Sequence, residues 1–349
     1  MKMRSTIKIS GRSVGTGYPT YVIAEIGSNH DSDLEKAKEI IRAAKYAGAD
    51  AVKFQSFTAE GLLNPLRPDT DGKWSAHPAY PIIERLTVPE QWHELLFQFC
   101  ASVGITFLSA PFDEGRAELL HEIGVPAFKL ASGELTNEPL LKQVASYGKP
   151  IILSTGAAYL EEVRRAVEVI LEQKNFEAAL LHCASLYPPK YEDMNITAMT
   201  TLAREFGCPV GFSDHTPGNT VATAAVALGA SIIEKHITLD RKLKGPDHPY
   251  AMEVEEFKFM VSEIRNLEKA LGDGVKRPSE SEMAERVGAR RSIYARTDIH
   301  RGDVITTDMV KLVRHAYGLE PRDLGGIIGK TALRDLVKDM PVQREDICA

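Results

Sequence analysis

The most constraining feature of this sequence is an eightfold alternation between short apolar runs and longer segments with a helical pattern. Each apolar run leads into polar residues, and each is followed by a helix-like periodicity. The runs are residues 21–26, 51–57, 106–108, 127–130, 151–153, 180–183, 210–212 and 231–233. Eight strands that alternate with helices predict an α/β fold, the (β/α)₈ barrel (TIM barrel), whose chemistry lies at the carboxyl ends of its strands.

The length of the chain predicts a second domain. A barrel of this type takes about 250 residues, and this chain has 349. We predict a barrel domain at residues 1–272, a linker at 273–289 and a small domain at 290–349. The linker stretch is rich in charged residues and has little apolar periodicity. The small domain is predicted to bury little core, so we expect it to dock onto a barrel, its own or a neighbour's.

Composition narrows the class of protein. A net charge of −6 argues against a general nucleic-acid binder. The cysteines form no CxxC pair, which favours reduced thiols over a disulfide framework or a zinc site. No apolar stretch follows the basic N-terminal residues, and the longest apolar run, residues 221–233, is too short to span a bilayer. We expect a cytoplasmic protein that binds neither nucleic acid nor a membrane. The cysteines are Cys100, Cys183, Cys208 and Cys348.

Local signals refine the barrel prediction. The first helix is predicted at residues 33–47, with Asp31 or Ser32 as its N-cap. Residues 62–83 are rich in proline and polar residues, and a loop of that length predicts a lid or binding loop. Glycines after several predicted helices indicate left-handed C-caps. They are Gly48, Gly104, Gly124, Gly148, Gly207 and Gly229.

Two lysines inside apolar strands predict an anion site. Lys53 and Lys129 lie at the ends of strands two and four, each inside an apolar run. A strand lysine can also be an edge residue whose amine reaches solvent. However, both are expected to face the same barrel mouth, together with serines after other strands. Lysine supplies a compact charge and serine a neutral donor, which suits a substrate with phosphate and carboxylate groups. The serines are Ser132, Ser154 and Ser213.

Two histidines predict a metal site. His215 and His236 close strands seven and eight, which are neighbours in the barrel. A lone histidine is more often structural, but two on adjacent strand ends can share a divalent ion. Two protein ligands leave positions open for water and substrate, as a Lewis-acid site requires.

Carboxylates at the same mouth are candidate acid–base residues. Glu25, Glu134 and Glu234 are expected to be costly to bury unless they are paired or used in chemistry. Salt bridges to the lysines are the alternative role. Glu25 is the favoured acid–base group because it ends the first strand. Asp247, in a Gly-Pro turn after strand eight, is predicted either to bind sugar hydroxyls or to cap its turn.

Several of these segments together resemble the sialic acid synthase family, which includes legionaminic and pseudaminic acid synthases. The C-terminal stretch RRSIYARTDIHRGDVITTDMVKLVRHAYGLEP resembles the antifreeze-like (SAF, β-clip) domain that the family carries. The resemblance implies a metal-dependent condensation of phosphoenolpyruvate with an N-acylated amino sugar, which releases phosphate and forms a nine-carbon α-keto acid. The matching segments are AEIGSNHDSDLEKAKEII, AGADAVKFQ, KLASGELTN, PIILSTGAA, LLHCASLYPPKYEDMN, GFSDHT, ALGASIIEKHITLD and GPDH.

The resemblance also implies residue roles. His215 and His236 match the family's metal ligands, with Mn²⁺ or Mg²⁺ as the ion. Arg314 matches an arginine that the SAF domain extends over the partner's active site in a domain-swapped homodimer. The residues that match phosphoenolpyruvate contacts are Lys53, Lys129, Ser132, Ser154 and Ser213. The residues that match positions around the metal and the sugar are Gln55, Phe112, Glu134, Tyr187 and Asp247.

Two positions depart from the family pattern. Family members often carry a hydroxyl residue where this chain has Ala110, so we expect Ser109 or a water to replace that phosphate donor. Members that form sialic acid often carry Asn where this chain has Ser185, which nonetheless stays a candidate substrate contact. These departures weaken any exact sugar assignment.

The sequence therefore leaves three functions to compare. The leading one is a sialic acid synthase that uses N-acetylmannosamine or a close relative. The alternative is a legionaminic or pseudaminic acid synthase that uses a 2,4-diacetamido-trideoxyhexose. A non-catalytic binding protein, which the SAF-like segment alone would suggest, is disfavoured because a binding scaffold has no need for two histidines beside two lysines.

Overall fold

The computed structural model describes residues 2–347, which divide into two compact units between Gly272 and Asp273. The strands are β1 (Thr6–Ile9), β2 (Arg12–Gly15), β3 (Tyr21–Glu25), β4 (Ala51–Ser56), β5 (Leu66–Pro68), β6 (Trp74–Ala76), β7 (Thr106–Pro111), β8 (Phe128–Leu130), β9 (Ile151–Ser154), β10 (Ala178–His182), β11 (Val210–Asp214), β12 (Ile232–Thr238), β13 (Met252–Glu253), β14 (Arg291–Ala295) and β15 (Val310–Arg314). The α-helices are α1 (Leu34–Tyr46), α2 (Ala59–Leu62), α3 (Tyr80–Leu86), α4 (Glu90–Val103), α5 (Glu114–Glu122), α6 (Glu138–Ser146), α7 (Leu160–Glu172), α8 (Ala198–Phe206), α9 (Thr220–Ala227), α10 (Val254–Leu271), α11 (Met283–Ala289) and α12 (Leu324–Ile327).

The first unit contains the predicted barrel. Its parallel ladder runs β7-β4-β3-β12-β11-β10-β9-β8, so the first and last barrel strands, β3 and β12, pair with each other. Within the described residues the ladder is open only between β7 and β8. The eight apolar runs of the sequence are the eight barrel strands, which confirms the predicted fold class.

Side chains alternate along the barrel strands and create two apolar layers. The interior layer holds residues such as Ile23 and Ile152 and is closed at the amino-terminal end by the hairpin β1–β2, which contributes Ile7 and Ile9. The outer layer packs the strands against the helices. A filled interior leaves the carboxyl ends of the strands as the place where a cavity can form.

Helix α1 begins at Leu34, one residue later than predicted, and its N-cap is Asp33. The side chain of Asp33 accepts hydrogen bonds from the backbone N–H groups of Glu35 and Lys36, at 2.8 and 3.1 Å. Asp31 and Ser32, the predicted caps, have φ of 50° and 59°, whereas an N-cap usually has extended backbone. The predicted C-cap glycines all have left-handed φ, which confirms that signal.

The long segment at residues 62–83 is not a structureless loop. It contains the antiparallel hairpin β5–β6 and most of helix α3. Its strands are exposed on both faces, so they lack the buried alternation that identifies a strand in sequence. A lid function for this segment stays a prediction.

The second unit has its own small apolar core, which the sequence prediction underestimated. Strands β14 and β15 pair in antiparallel fashion, and Ile293, Ile299, Ile305 and Val342 are buried beside them. The predicted linker contains helix α11, which was not expected. That helix is seven residues long and has no buried residue.

Two further observations concern the described residues. Cys100, Cys183 and Cys208 are buried free thiols, and Cys348 lies outside residues 2–347. Nowhere in the described part of the chain is a helix both long and apolar enough to cross a membrane.

Candidate active site

A cavity of about 860 Å³ lies at the carboxyl ends of the barrel strands. It forms there because polar residues near the carboxyl ends of the strands point inward, where the interior apolar layer stops. The structure brings together nearly all of the predicted site residues. Those that line the cavity are Glu25, Lys53, Gln55, Phe112, Lys129, Ser132, Ser154, Ser185, Tyr187, Ser213, His215, Glu234, His236 and Asp247.

Lys53 lies between two carboxylates on neighbouring strands. Its Nζ is 3.1 Å from Glu25 Oε2 and 3.3 Å from Glu234 Oε1. The Gln55 side chain donates a hydrogen bond of 2.7 Å to Glu25 Oε1. Only 5% of the Lys53 side chain is exposed, so it is not an edge lysine that reaches solvent.

Lys129 is the second cation of the same network. Its Nζ donates a hydrogen bond of 2.7 Å to Ser154 Oγ and lies 3.8 Å from Glu234 Oε1. Ser213 Oγ donates to the same oxygen of Glu234 at 3.1 Å. Two buried lysines therefore share one carboxylate, while the other oxygen of Glu234 is buried with no hydrogen-bond partner among the described residues.

The buried carboxylates of Glu25 and Glu234 have different pKa values because their surroundings differ. Burial raises the pKa of Glu25 to about 7, although the nearby Lys53 acts in the opposite direction. Burial also acts to raise the pKa of Glu234, but Lys129 and Lys53 outweigh it and hold that pKa at about 2. Glu25 can thus exchange a proton near neutral pH, whereas Glu234 stays ionised.

The two lysines also differ from each other in pKa. For Lys53, burial acts to lower the pKa, but the carboxylates of Glu234 and Glu25 outweigh it and the pKa is raised. For Lys129, burial dominates and the pKa falls to about 8. Both amines are largely charged at pH 7, so the cavity presents two cations to an entering anion.

His215 and His236 are neighbours at the cavity wall, with ring centroids 5.5 Å apart. Burial lowers the pKa of each to about 4, so both are neutral at pH 7. His215 Nδ1 donates to the Ala184 carbonyl at 3.1 Å, which leaves a lone pair on Nε2. The Nδ1 atom of His236 is buried without a hydrogen-bond partner among the described residues.

Neutral imidazoles with free lone pairs fit a divalent metal ion. The described part of the chain contains no group of three or more His, Cys, Asp or Glu side chains placed to hold one. An ion at this position would therefore have two protein ligands and open positions for water or substrate.

Asp247 is held by residues that were not predicted. Its Oδ2 accepts hydrogen bonds from the backbone N–H and the hydroxyl of Ser28, both at 2.8 Å. Its Oδ1 accepts from the Tyr250 hydroxyl at 2.8 Å. The sequence positions of Ser28 and Tyr250 could have indicated this role, because Ser28 follows the first barrel strand and Tyr250 is three residues beyond Asp247.

A buried histidine joins the loops after the first and last barrel strands. His248 Nε2 lies 3.1 Å from both carboxylate oxygens of Asp31, and its Nδ1 lies 2.7 Å from Thr238 Oγ1. A Cβ atom at Gly245 would lie 2.8 Å from the imidazole ring, so only glycine fits there. These contacts fix the turn that carries Asp247.

Gly156 lies where three polar side chains meet the cavity. Its N–H donates to Ser132 Oγ at 3.0 Å. A Cβ atom at this position would lie less than 3 Å from the side chains of Ser132, Cys183 and Ser185. The sequence prediction missed Gly156, although this residue lies two positions after the end of strand β9, in the stretch LSTGAA.

Some predicted residues lie elsewhere. Glu134 does not line the cavity; it is partly buried and accepts a hydrogen bond of 2.8 Å from Asn137. Ser109 is buried and hydrogen-bonded to Ser56 at 2.6 Å, while Ala110 faces the cavity. The expectation that Ser109 replaces the missing hydroxyl is therefore wrong. Arg314 is an exposed residue of the second unit, at the end of β15.

Comparison with known families decides the class of protein. The NeuB family profile matches residues 40–276, well over half of the chain, and the SAF domain profile matches residues 290–347. The chain belongs to the NeuB family. This confirms the resemblance that the sequence motifs indicated.

Individual relatives match this NeuB-family chain over nearly its whole length. It is 42% identical over 336 residues to the N,N'-diacetyllegionaminic acid synthase of Legionella pneumophila, with 94% of each chain covered. It is 36% identical over 341 residues to the N-acetylneuraminate-9-phosphate synthase of Homo sapiens, covering 96% of this chain and 94% of the relative. The N-acetylneuraminic acid synthetase of Leptospira borgpetersenii has a similar structure, with a TM-score of 0.74, 34% identity, and 81% of this chain and 96% of that chain covered. The predicted enzyme class, a synthase of the nonulosonate type, is therefore confirmed.

Proposed function

We propose that this NeuB-family enzyme condenses phosphoenolpyruvate with an open-chain N-acylated amino sugar. C3 of phosphoenolpyruvate forms a bond to the aldehyde carbon, water adds to C2, and cleavage at C2 releases inorganic phosphate. The product is a nine-carbon α-keto acid. The observation that carries this proposal is the pair of buried lysines beside two neutral histidines in one cavity.

The phosphoenolpyruvate site would be formed by the lysines and serines. Lys53 and Lys129 supply charge, and Ser154 and Ser213 supply neutral donors already placed by hydrogen bonds to the network. In the absence of substrate, Glu234 holds the two amines in place. A substrate that carries both phosphate and carboxylate would replace part of that attraction with charge-assisted hydrogen bonds.

Glu25 is the proposed acid–base residue. Its pKa of about 7 lets it carry a proton near neutral pH. An anionic substrate brings negative charge next to it and raises that pKa further. Glu25 would therefore be protonated in the substrate complex and would deliver its proton to the oxygen of the former aldehyde. Glu134 has no role in this proposal because it does not line the cavity.

His215 and His236 would hold a divalent cation, Mn²⁺ or Mg²⁺. When bound, such an ion supplies Lewis-acid polarisation of the aldehyde oxygen. The two imidazoles remain neutral and present lone pairs at neutral pH because burial lowers their pKa values. Gln55, Phe112, Tyr187 and Asp247 line the adjacent part of the cavity and are proposed to contact the sugar.

The proposal includes the assembly. We propose a cytoplasmic, domain-swapped homodimer in which Arg314 reaches the partner's active site. Support for this comes from the SAF domain match and from the exposure of Arg314 at a strand end.

A second acceptor class is favoured by specific observations. The identity to the legionaminic acid synthase of L. pneumophila, 42%, exceeds the 36% to the human N-acetylneuraminate-9-phosphate synthase. Ala110 and Ser185, the two positions that depart from the family pattern, both line the cavity. A 2,4-diacetamido-trideoxyhexose is therefore the alternative to N-acetylmannosamine.

The experiment is phosphate release from phosphoenolpyruvate with a panel of acceptors. The panel contains N-acetylmannosamine, its 6-phosphate, and the two 2,4-diacetamido-trideoxyhexoses that lead to legionaminate and pseudaminate. The acceptor with the highest kcat/KM identifies the sugar. Release with none of them, with and without Mn²⁺ or Mg²⁺, would contradict the proposal and favour a binding protein.

A further inference from the structure

A buried ion pair lies behind the two histidines, on the helix-facing side of strands β11 and β12. Lys235 Nζ donates a hydrogen bond of 2.7 Å to Asp214 Oδ2, and each residue is only 1% exposed. The two residues are opposite each other in the ladder. Because side chains alternate along a strand, they point away from the cavity while their neighbours His215 and His236 face it.

The pair also fixes the chain on both sides of His215. Asp214 Oδ1 accepts hydrogen bonds from the backbone N–H of Thr216 at 2.9 Å and from its hydroxyl at 2.8 Å. Lys235 donates a further hydrogen bond to the Thr216 carbonyl oxygen. Lys235 itself directly precedes His236. One buried ion pair is thus bonded to the segment that contains the first histidine and is adjacent in sequence to the second.

The surrounding layer between strands and helices is apolar, with Phe212, Ile233 and Phe257 fully buried in it. Replacing a buried ion pair by apolar residues of similar volume is often neutral or stabilising, because two charges no longer have to be desolvated. Here, however, the pair also supplies the hydrogen-bond partners of the buried Thr216, and so it holds the segment that carries His215.

We propose that Asp214 and Lys235 are positioning residues for the metal site, and that they hold the imidazoles of His215 and His236 at the separation a divalent cation needs. This inference rests on the proposed metal site. With two protein ligands, a small displacement of either ring removes half of the protein's coordination. Groups that orient metal ligands typically change metal affinity by 10- to 100-fold when removed.

The test measures binding of Mn²⁺ alone, in the absence of substrates, by the electron paramagnetic resonance signal of the free ion. The proteins are wild type, the double variant Asp214→Leu/Lys235→Met, the single variant Asp214→Asn, and His236→Ala. Arg265→Met is the control, since it removes a partly buried ion-pair cation at the amino-terminal end of the barrel. Urea unfolding of each protein is measured in parallel.

The double variant leaves the N–H, hydroxyl and carbonyl of the buried Thr216 without these partners, so it is expected to unfold at a lower urea concentration than wild type and to bind Mn²⁺ with a Kd raised 10- to 100-fold. Arg265→Met is expected to lose stability with an unchanged Kd. Should the double variant fail to fold, Asp214→Asn, which keeps the side-chain shape, decides the question by the same shift in Kd.

A folded variant with wild-type Mn²⁺ affinity would overturn the inference and leave the metal site intact. Two other results would show that the proposed metal site itself is wrong. These are a wild-type protein that binds no Mn²⁺, and a His236→Ala variant that binds Mn²⁺ as tightly as wild type. Either result would also remove the basis of the inference about Asp214 and Lys235.

Discussion

Glu25 offers a test in which activity and stability change in opposite directions. Burial raises its pKa from an ordinary value of about 4.5 to about 7 in the folded protein. The folded state therefore binds more protons than the unfolded state between pH 4.5 and pH 7. The free energy of unfolding should fall as pH rises through this window, and 2.5 pKa units correspond to about 3 kcal/mol.

Glu25→Gln removes the titrating group and keeps the side-chain shape. We expect the variant to match wild type in stability only below about pH 4.5, where Glu25 is neutral in both the folded and the unfolded state. At pH 8 it should be more stable by about 3 kcal/mol, because no carboxylate has to be ionised in the cavity. Its kcat should nevertheless fall by roughly 10²- to 10⁴-fold, since the proposed proton donor is lost.

The assay is urea unfolding at several pH values, followed by tryptophan fluorescence. Both tryptophans, Trp74 and Trp92, lie in the barrel unit, so this signal reports the barrel and not the second unit. Glu134→Gln is the matched control for the loss of activity, because that carboxylate does not line the cavity. Equal stability of wild type and Glu25→Gln at pH 8, or a less stable variant, would refute the reasoning.

Further predictions concern other parts of the site. Lys53→Met and Lys129→Met should each raise KM for phosphoenolpyruvate far more than KM for the sugar. The measurement is steady-state kinetics with each substrate varied in turn, and an equal rise in both KM values would contradict the prediction. Gly156→Ala should cost about 1–3 kcal/mol and raise KM for phosphoenolpyruvate, because its Cβ meets three side chains. Gly133 lines the same cavity, but a Cβ atom added there would meet free space. The control variant Gly133→Ala should therefore behave as wild type. Mixing inactive Arg314→Ala and His236→Ala subunits should restore some activity if Arg314 acts in the partner's site, and no recovery after proven subunit exchange would place Arg314 outside that site.

The barrel was predictable from sequence because one physical rule repeats eight times. Each strand is a short apolar run, and the inward-facing residues near its carboxyl end point into the mouth. That rule placed Lys53, Lys129, His215 and His236 in one cavity, as observed. It would also have separated Ser109 from Ala110, since adjacent residues of a strand face opposite sides.

Other features were not predictable because they depend on contacts between distant segments. The need for glycine at position 156 arises from side chains that follow other strands. Ser28 reaches Asp247 from 219 positions away in the sequence. The pKa difference between Glu25 and Glu234 follows from which carboxylate lies between two lysines, and that requires coordinates.

Helix α11 was missed for a different reason. It is only seven residues long, which is shorter than the window of about 11–18 residues over which a helical period can be recognised. The N-cap of α1 was misplaced by one or two positions because Asp31, Ser32 and Asp33 are all good capping residues, and only the backbone conformation separates them.

The most direct test of the central claim is the stoichiometry of phosphate and α-keto acid in a single reaction mixture. With phosphoenolpyruvate, a divalent cation and the preferred acceptor sugar, we predict one inorganic phosphate for each nine-carbon α-keto acid, and no phosphate when the acceptor is omitted. Phosphate released at the same rate without acceptor, or released without formation of the nine-carbon acid, would contradict the assignment of this cavity to a condensation reaction.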